Sequence, residues 1–177
     1  DEEKRIVTFA HRAGKVFTDD FTTEGARYIV ENVYEGLDAP GEWYLDRPSG
    51  TVYYIPVPGE DLTMAAVTAP VAPSLIRFEG DPTKQQFVRH VEFSGIRFQY
   101  NHFQLPRGNS NDRQGSASVP AAVSMKGARD CTFSQCEFTN LGTFAFELSD
   151  GCVGNRFQHN RLTHLGAGGF RIDGGTQ

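Results

Sequence analysis

Short runs of alternating apolar and polar residues recur along the C-terminal half of the chain at a fixed spacing. The segment 133–148 aligns with the segment 157–172 without a gap. The separation of these two segments, 157 − 133 = 24 residues, is called the repeat period below. A constant period of about 20 to 50 residues is typical of a solenoid, in which each unit buries its apolar face by stacking on a neighbour. The identical positions are Phe133/Phe157, Thr139/Thr163, Leu141/Leu165, Gly142/Gly166 and Phe146/Phe170. Because each unit contains short strand patterns joined by Asn-Leu-Gly or His-Leu-Gly corners, the sequence predicts an all-β fold made of parallel β-helix coils.

The same pattern continues towards the N-terminus with one interruption. The segment 91–98 has the pattern of 131–138. This separation, 131 − 91 = 40 residues, is called the longer offset below and exceeds the repeat period. The surplus over one period lies in residues 100–118, which are polar and rich in Gly and Asn. This segment is interpreted either as a lateral loop that carries binding residues or as a disordered surface insertion.

Alternation along the repeated strands assigns side chains to the two faces. Strand partners lie about 4.8 Å apart, so the members of one column touch each other. The inward columns are Val123/Phe146/Phe170 and Met125/Leu148/Ile172, and the outward columns are Ser124/Glu147/Arg171 and Lys126/Ser149/Asp173.

The first part of the chain follows a different pattern. Residues 26–37 have apolar positions at helical spacing, which predicts a short helix that ends near Gly36. The runs 42–46 and 51–55 flank Arg47-Pro-Ser-Gly50, which predicts an aromatic β-hairpin. Residues 64–68 and 74–78 are further strand candidates. The sequence thus indicates an N-terminal region, 1–73, with a helix and a hairpin, followed by parallel β-helix coils over 74–177.

Composition and charge narrow the classes of function. The formal net charge of −5 is not that of a nucleic-acid-binding surface, which requires clustered Lys and Arg. Apolar runs stay short of the roughly 18 residues that a membrane-spanning helix needs. Cys131, Cys136 and Cys152 have no metal-type spacing and are predicted to be free thiols. No motif for a metal, a nucleotide or another cofactor is found, and the pair His159 and His164 has no third ligand in register.

The corner asparagines are expected to bond the backbone, since Asn at repeated bends commonly does so. These residues are Asn140, Asn155 and Asn160.

The outward columns contain the candidate chemistry. Glu147 and Arg171 are neighbours in one column, which indicates either a cross-strand ion pair or part of the floor of a polar groove for sugar hydroxyls. Carboxylates at Glu147, Asp150 and Asp173 on neighbouring coils could stand roughly 5–6 Å apart, the separation found in retaining glycosidases. We therefore predict these three acids as catalytic residues, with Arg171 and loop residues Asn101 and His102 as sugar contacts.

Two blocks of sequence support this hypothesis by resemblance. Arg27–Arg47 with Gly50–Pro56 is the first block, and Val119–Val123 with Glu147-Leu148 and His164–Ile172 is the second. Together they resemble the large bacterial right-handed parallel β-helix repeat proteins, which include glycoside hydrolases of the α-1,3-galactosidase, β-xylosidase and α-L-fucosidase/xylanase types.

The resemblance implies a secreted or periplasmic carbohydrate-active protein, retaining or inverting by subfamily. We therefore expect an enzyme that hydrolyses glycosidic bonds in a polysaccharide or oligosaccharide, and we expect no cofactor. The resemblance also implies that further coils of a longer chain continue the repeat. Two other classes of protein stay open. A non-catalytic β-helical adhesin or sugar-binding scaffold predicts outward columns filled by ion pairs, and a polysaccharide lyase requires clustered Asp ligands for calcium.

Overall fold

The computed structural model describes residues 30–104 and 114–173, which divide into two compact units at residue 67. Residues 30–67 form the first unit and residues 68–104 with 114–173 form the second. The apolar runs before residue 30, the centre of the 100–118 segment and the last four residues lie outside the described residues.

The first unit is built on the predicted hairpin. Strand β1 (Trp43–Asp46) pairs antiparallel with β2 (Thr51–Tyr54), in the register Trp43↔Tyr54 and Tyr44↔Tyr53. The ring of Tyr34 packs edge-on against Tyr44 and Tyr53, with centroids 5.8 and 5.1 Å away. The hairpin prediction is confirmed.

Two local predictions in this region are wrong. The described part of the predicted helix contains a single 3₁₀ turn, Tyr34–Gly36, because Asn32 has a left-handed φ of 57° and Val33 is extended. Residues 64–68 form no strand, and Met64 and Val67 are 82% and 87% exposed. Helical or strand-like spacing over a few residues does not form an element without a partner surface.

The second unit consists of parallel sheets whose strands recur at the predicted separations. The short strands before the repeat are β3 (Ile76–Glu79), β4 (Val88–Arg89), β5 (Glu92–Ser94) and β6 (Arg97–Gln99). The next repeat along the chain contains β7 (Ala121–Lys126), β8 (Ala128–Arg129), β9 (Thr132–Ser134), β10 (Glu137–Leu141) and β11 (Phe144–Leu148). The last contains β12 (Arg156–Gln158), β13 (Arg161–Leu165) and β14 (Phe170–Ile172). Two further 3₁₀ turns are Pro82–Lys84 and Gln114–Ser116.

Each sheet contains the corresponding strands of successive repeats. The sheet orders are β14-β11-β7-β3, β13-β10-β6, β12-β9-β5 and β4-β8. Phe133 lies opposite Phe157 and Phe93, and Phe138 lies opposite Leu162 and Phe98, as the repeat period and the longer offset predict. The described residues are therefore all-β with parallel sheets in the predicted register.

The core lies between the sheets and is built from stacked phenylalanines. Phe93, Phe133 and Phe157 stack face to face at centroid distances of 4.9 and 5.7 Å. Phe133, Phe138 and Phe146 have no exposed surface. In the last strand the inward columns are in register, but Phe170 is 42% and Ile172 72% exposed, because β14 is the edge of its sheet.

The corners between strands contain residues in the left-handed backbone conformation, which recur once per repeat. His90, Asp130 and Gly154 form one such set, with φ of 57°, 53° and 69°. Asn155 and Asn160 form hydrogen bonds with the backbone of the preceding repeat. Asn160 Oδ1 accepts from Cys136 N at 2.9 Å, and its Nδ2 donates to Phe133 O at 2.9 Å. The predicted role of these two asparagines is confirmed, and all three cysteines, which lie in the described part, are free.

Candidate functional site

The outward face of the β3–β7–β11–β14 sheet carries a continuous band of polar side chains. In one column Ser124 lies between Arg77 and Glu147, and Glu147 lies beside Arg171. In the next column Glu79 lies beside Lys126. The ladder continues past β11 and β14, because Ser149 N donates to Met125 O and Asp173 N donates to Leu148 O, both at 2.9 Å.

A groove of about 600 Å³ lies over this face. One wall comes from the strand β3 and the turn that follows it, and the floor comes from β7 and β11. The polar lining consists of Arg77, Glu79, Asp81, Thr83, Ser124, Lys126, Glu147 and Ser149. Carboxylates, hydroxyls and cations thus alternate across one concave surface.

Glu147 forms the ion pair that the sequence predicts as one of two possibilities. Its Oε1 lies 2.8 Å from Arg171 Nη2, and the two side chains are only 20% and 26% exposed. Arg171 Nη1 donates to the carbonyls of Ala117 and Val119, at 3.0 and 2.9 Å. The guanidinium therefore holds the segment before β7 as well as the carboxylate.

The other carboxylates of the groove also have cationic partners. Arg77 Nη2 lies 2.7 Å from Glu79, and Lys84 Nζ lies 2.8 Å from Asp81. Hydrogen bonds from Lys84 and from the Thr83 hydroxyl lower the pKa of Asp81 below its ordinary value of 3.8. Within the described residues, Lys126 forms neither an ion pair nor a side-chain hydrogen bond, so its ammonium group lines the groove without a partner there.

The structure brings only part of the predicted acid set to the groove. Glu147 lines it, whereas Asp150 and Asp173 are exposed and lie outside its lining. Asp150 lies in the turn after β11, where its carbonyl accepts a hydrogen bond from Gly127 N at 2.8 Å. Asp173 follows β14 two positions after Arg171 and is thus a diagonal neighbour of Glu147.

The assignment of Asn101 as a sugar contact is corrected by its environment. The residue is 2% exposed, and its Nδ2 donates to Thr143 Oγ1 at 2.8 Å and to Pro73 O at 3.2 Å. Its Oδ1 accepts from Gly142 N at 3.0 Å. Since both amide hydrogens are used inside the protein, Asn101 joins three chain segments and is not available to a ligand.

His102 has an exposed side chain, and its backbone N–H donates to Ala72 O at 2.7 Å. It does not belong to the lining of the groove. Its predicted contact with a sugar stays a prediction.

Four polar groove residues were missed by sequence reasoning: Arg77, Glu79, Asp81 and Thr83. They lie on β3 and just after it, where Ile76 pairs with Val123 and the separation does not follow the repeat period. The signal available was the alternation in Ile76-Arg-Phe-Glu79, which places Arg77 and Glu79 on the face opposite Phe78.

Comparisons with protein-family models, curated proteins and solved structures found no match for this chain. Within the described residues, no group of three or more His, Cys, Asp or Glu side chains is placed to hold a metal ion. None of the helical segments described here has the length and apolar character needed to cross a membrane.

Proposed function

We propose that the second unit consists of right-handed parallel β-helix coils of a secreted or periplasmic carbohydrate-active protein, and that its groove binds a polysaccharide or oligosaccharide. The groove over β3, β7 and β11 is the observation that carries this proposal. The resemblance to β-helical glycoside hydrolases supports the same class of ligand.

The composition of the groove suits a ligand that is rich in hydroxyl groups. Sugar hydroxyls both donate and accept, so they are recognised by alternating carboxylates, cations and hydroxyls rather than by a charge of one sign. The partly buried ion pair with Arg171 holds the side chain of Glu147 in place before a ligand binds, which lowers the ordering cost of recognition. Because strand spacing repeats every roughly 4.8 Å, the floor offers a regular array of contacts along an extended chain.

Hydrolysis of a glycosidic bond is the second candidate function. Glu147 and Glu79 line the same groove and are separated by one intervening strand, β7. Glu147 shares a column with Arg77, and Glu79 lies two residues further along β3, so the two glutamate backbones stand about 12 Å apart. This separation leaves room for a sugar and a water between the carboxyl groups. In such an arrangement one acid protonates the leaving oxygen while the other activates water, which is the inverting course.

The binding proposal is tested by filling the groove. Ser124→Tyr places a large side chain on the groove floor between Arg77 and Glu147. Affinity gel electrophoresis in soluble xylan or galactan should show retardation of the wild-type protein and none for this variant. Ser134→Tyr is the matched control, since Ser134 faces outward from β9 in another sheet and should leave retardation unchanged. Equal retardation of both variants, or none for the wild type, contradicts the proposal.

Hydrolysis is tested by the release of reducing sugar from the same polysaccharides. Glu147→Gln and Glu79→Gln should each lower the rate at least about a hundredfold if these acids take part in proton transfer. Glu137→Gln is the control, because Glu137 forms a comparable cross-strand pair with Arg97, at 2.6 Å, on another sheet. Binding without measurable hydrolysis by the wild type would favour the non-catalytic scaffold.

A further inference from the structure

A smaller pocket lies on the hairpin unit. Its volume is about 220 Å³. It is lined by Asn32, Trp43, Tyr44, Leu45, Arg47 and Pro48. The residues that line the pocket therefore include an indole, a phenol, an amide and a guanidinium group together with the apolar Leu45 and Pro48.

The polar groups of this pocket have no partner among the described residues. There, Asn32, Arg47 and the indole N–H of Trp43 make no side-chain hydrogen bond and no ion pair. Neighbouring polar side chains on the hairpin do have partners. Glu42 accepts from the backbone N–H groups of Asp38 and Ala39, and the Tyr54 hydroxyl donates to a carboxylate of the same unit at 2.6 Å. The pocket thus gathers donors that the described part of the hairpin unit leaves unused.

Trp43 adds a large apolar surface to these polar groups. Its side chain is 62% exposed although it lies in a regular strand, opposite Tyr54. An exposed tryptophan beside solvent-facing donors is typical of a binding surface, because the ring offers an apolar face and a polar edge. A pocket of this volume admits a single ring, which is smaller than the usual drug-sized site of about 300 Å³ or more.

The net charge of the hairpin unit narrows the classes of ligand that can stack on the indole ring of Trp43. Residues 30–67 contain seven carboxylates (Glu31, Glu35, Asp38, Glu42, Asp46, Glu60 and Asp61) and one guanidinium, so 1 − 7 gives a net charge of −6. Such a surface repels nucleic acid phosphates, anionic lipids and acidic sugars. A neutral pyranose has an apolar C–H face for Trp43 and hydroxyl groups for Asn32 and Arg47.

We propose that this pocket is a binding site for one neutral sugar ring, stacked on Trp43 and held by Asn32 and Arg47. The inference rests on the proposed function in one respect, since both sites bind a carbohydrate.

The chain offers a selective probe of this site, because Trp43 is its only tryptophan. Titration of the full chain with neutral xylo-oligosaccharides and galacto-oligosaccharides should give a saturable change in tryptophan emission. Arg47→Ala and Asn32→Ala should each raise the dissociation constant about tenfold, the usual size of the loss of a strong contact. Met64→Ala is the control, since Met64 is exposed in the same unit but does not line the pocket.

The outcomes separate this inference from the proposed function. A saturable emission change that persists in Ser124→Tyr supports the hairpin site, even if the groove binds nothing. Polysaccharide binding without any emission change in the wild type overturns the hairpin site and leaves the groove intact. An emission change that Arg47→Ala and Asn32→Ala do not weaken, or one produced by a single-stranded oligonucleotide and not by sugars, also overturns it.

Discussion

Arg171 joins two parts of the second unit through three acceptors. Its guanidinium contacts Glu147 and the carbonyls of Ala117 and Val119. A surface ion pair alone contributes between zero and about 1 kcal/mol, so the carbonyl contacts decide how much this residue stabilises the fold. By holding Arg171, the carbonyl contacts also orient Glu147, which lines the groove.

Arg171→Ala should lower the free energy of unfolding by about 1–2 kcal/mol, because the exposed carbonyl of Ala117 and the partly buried carbonyl of Val119 both lose their donor. Arg97→Ala removes the second cross-strand ion pair of the described residues, which is 64% exposed on the arginine side, and should cost less. Urea unfolding of the two variants measures the difference. Equal losses would mean that the carbonyl contacts contribute nothing.

The pairing of Asp81 makes stability depend on pH. Since the folded pKa lies below the ordinary 3.8, the stabilisation is present above that value and is lost as the pH falls through the folded pKa. Asp81→Asn should therefore be less stable than the wild type at neutral pH and equally stable well below 3.8.

Urea unfolding over this pH range tests the prediction. Asp150→Asn is the control, because Asp150 is exposed and forms no ion pair within the described residues. A difference between wild type and Asp81→Asn that does not change with pH would rule out the linkage.

Residues whose role depends on a neighbour far along the chain were the hardest to predict. Asn155 and Asn160 were assigned correctly, since Asn at a repeated bend has few other uses. Asn101 was assigned wrongly, because its partners Thr143 and Pro73 are remote in sequence and no local pattern indicates burial. Left-handed His159 and His164 occupy the same corner positions as Gln135 and Asn140, which explains their spacing without a metal.

At the scale of elements, close backbone contacts at the corners fix the spacing between strands. A Cβ atom on Gly166 would lie 2.5 Å from Gly142 O, so the two backbones meet where a side chain has no room. Gly95 is different: its φ of +67° is left-handed, but no atom lies within 4 Å of its would-be Cβ. The identity Gly142/Gly166 in the repeat thus reflects packing rather than turn conformation.

Gly166→Ala should cost about 3 kcal/mol through this overlap with the backbone. Gly95→Ala should cost about 1 kcal/mol, since only the left-handed conformation opposes a side chain there. Thermal unfolding of both variants measures the difference. A larger loss for Gly95→Ala would contradict the packing explanation.

Strands that pair with a neighbouring strand were predicted correctly, whereas segments without a neighbouring strand were not. The repeat period and the longer offset define the registers of the strands that carry the stacked phenylalanines, because each inward ring must stack on its counterpart. The same local reasoning failed for residues 64–68, which have strand-like composition and no adjacent strand among the described residues. β3 was found as a strand, but its partner was missed because its separation from β7 does not follow the repeat.

At the scale of the whole molecule, the two units present two different polar surfaces. The groove of the second unit contains mixed charges, most of them paired. Residues 30–67 of the hairpin unit are acidic and include the pocket lined by Trp43. The sequence predicted the outward column of Glu147 and Arg171 and offered a polar groove there as one of two possibilities. It did not indicate the wall of the groove, because the wall is formed by β3 and the turn after it. Glycan binding at the groove is therefore the central claim of the proposed function.

Amide chemical shifts of the full chain, recorded with and without neutral xylo-oligosaccharides or galacto-oligosaccharides, test that claim most directly. The groove predicts saturable shifts at 77–81, 124–126 and 147–149, which Ser124→Tyr removes and Ser134→Tyr preserves. Shifts confined to residues outside these three segments, or none at saturating sugar, would contradict it.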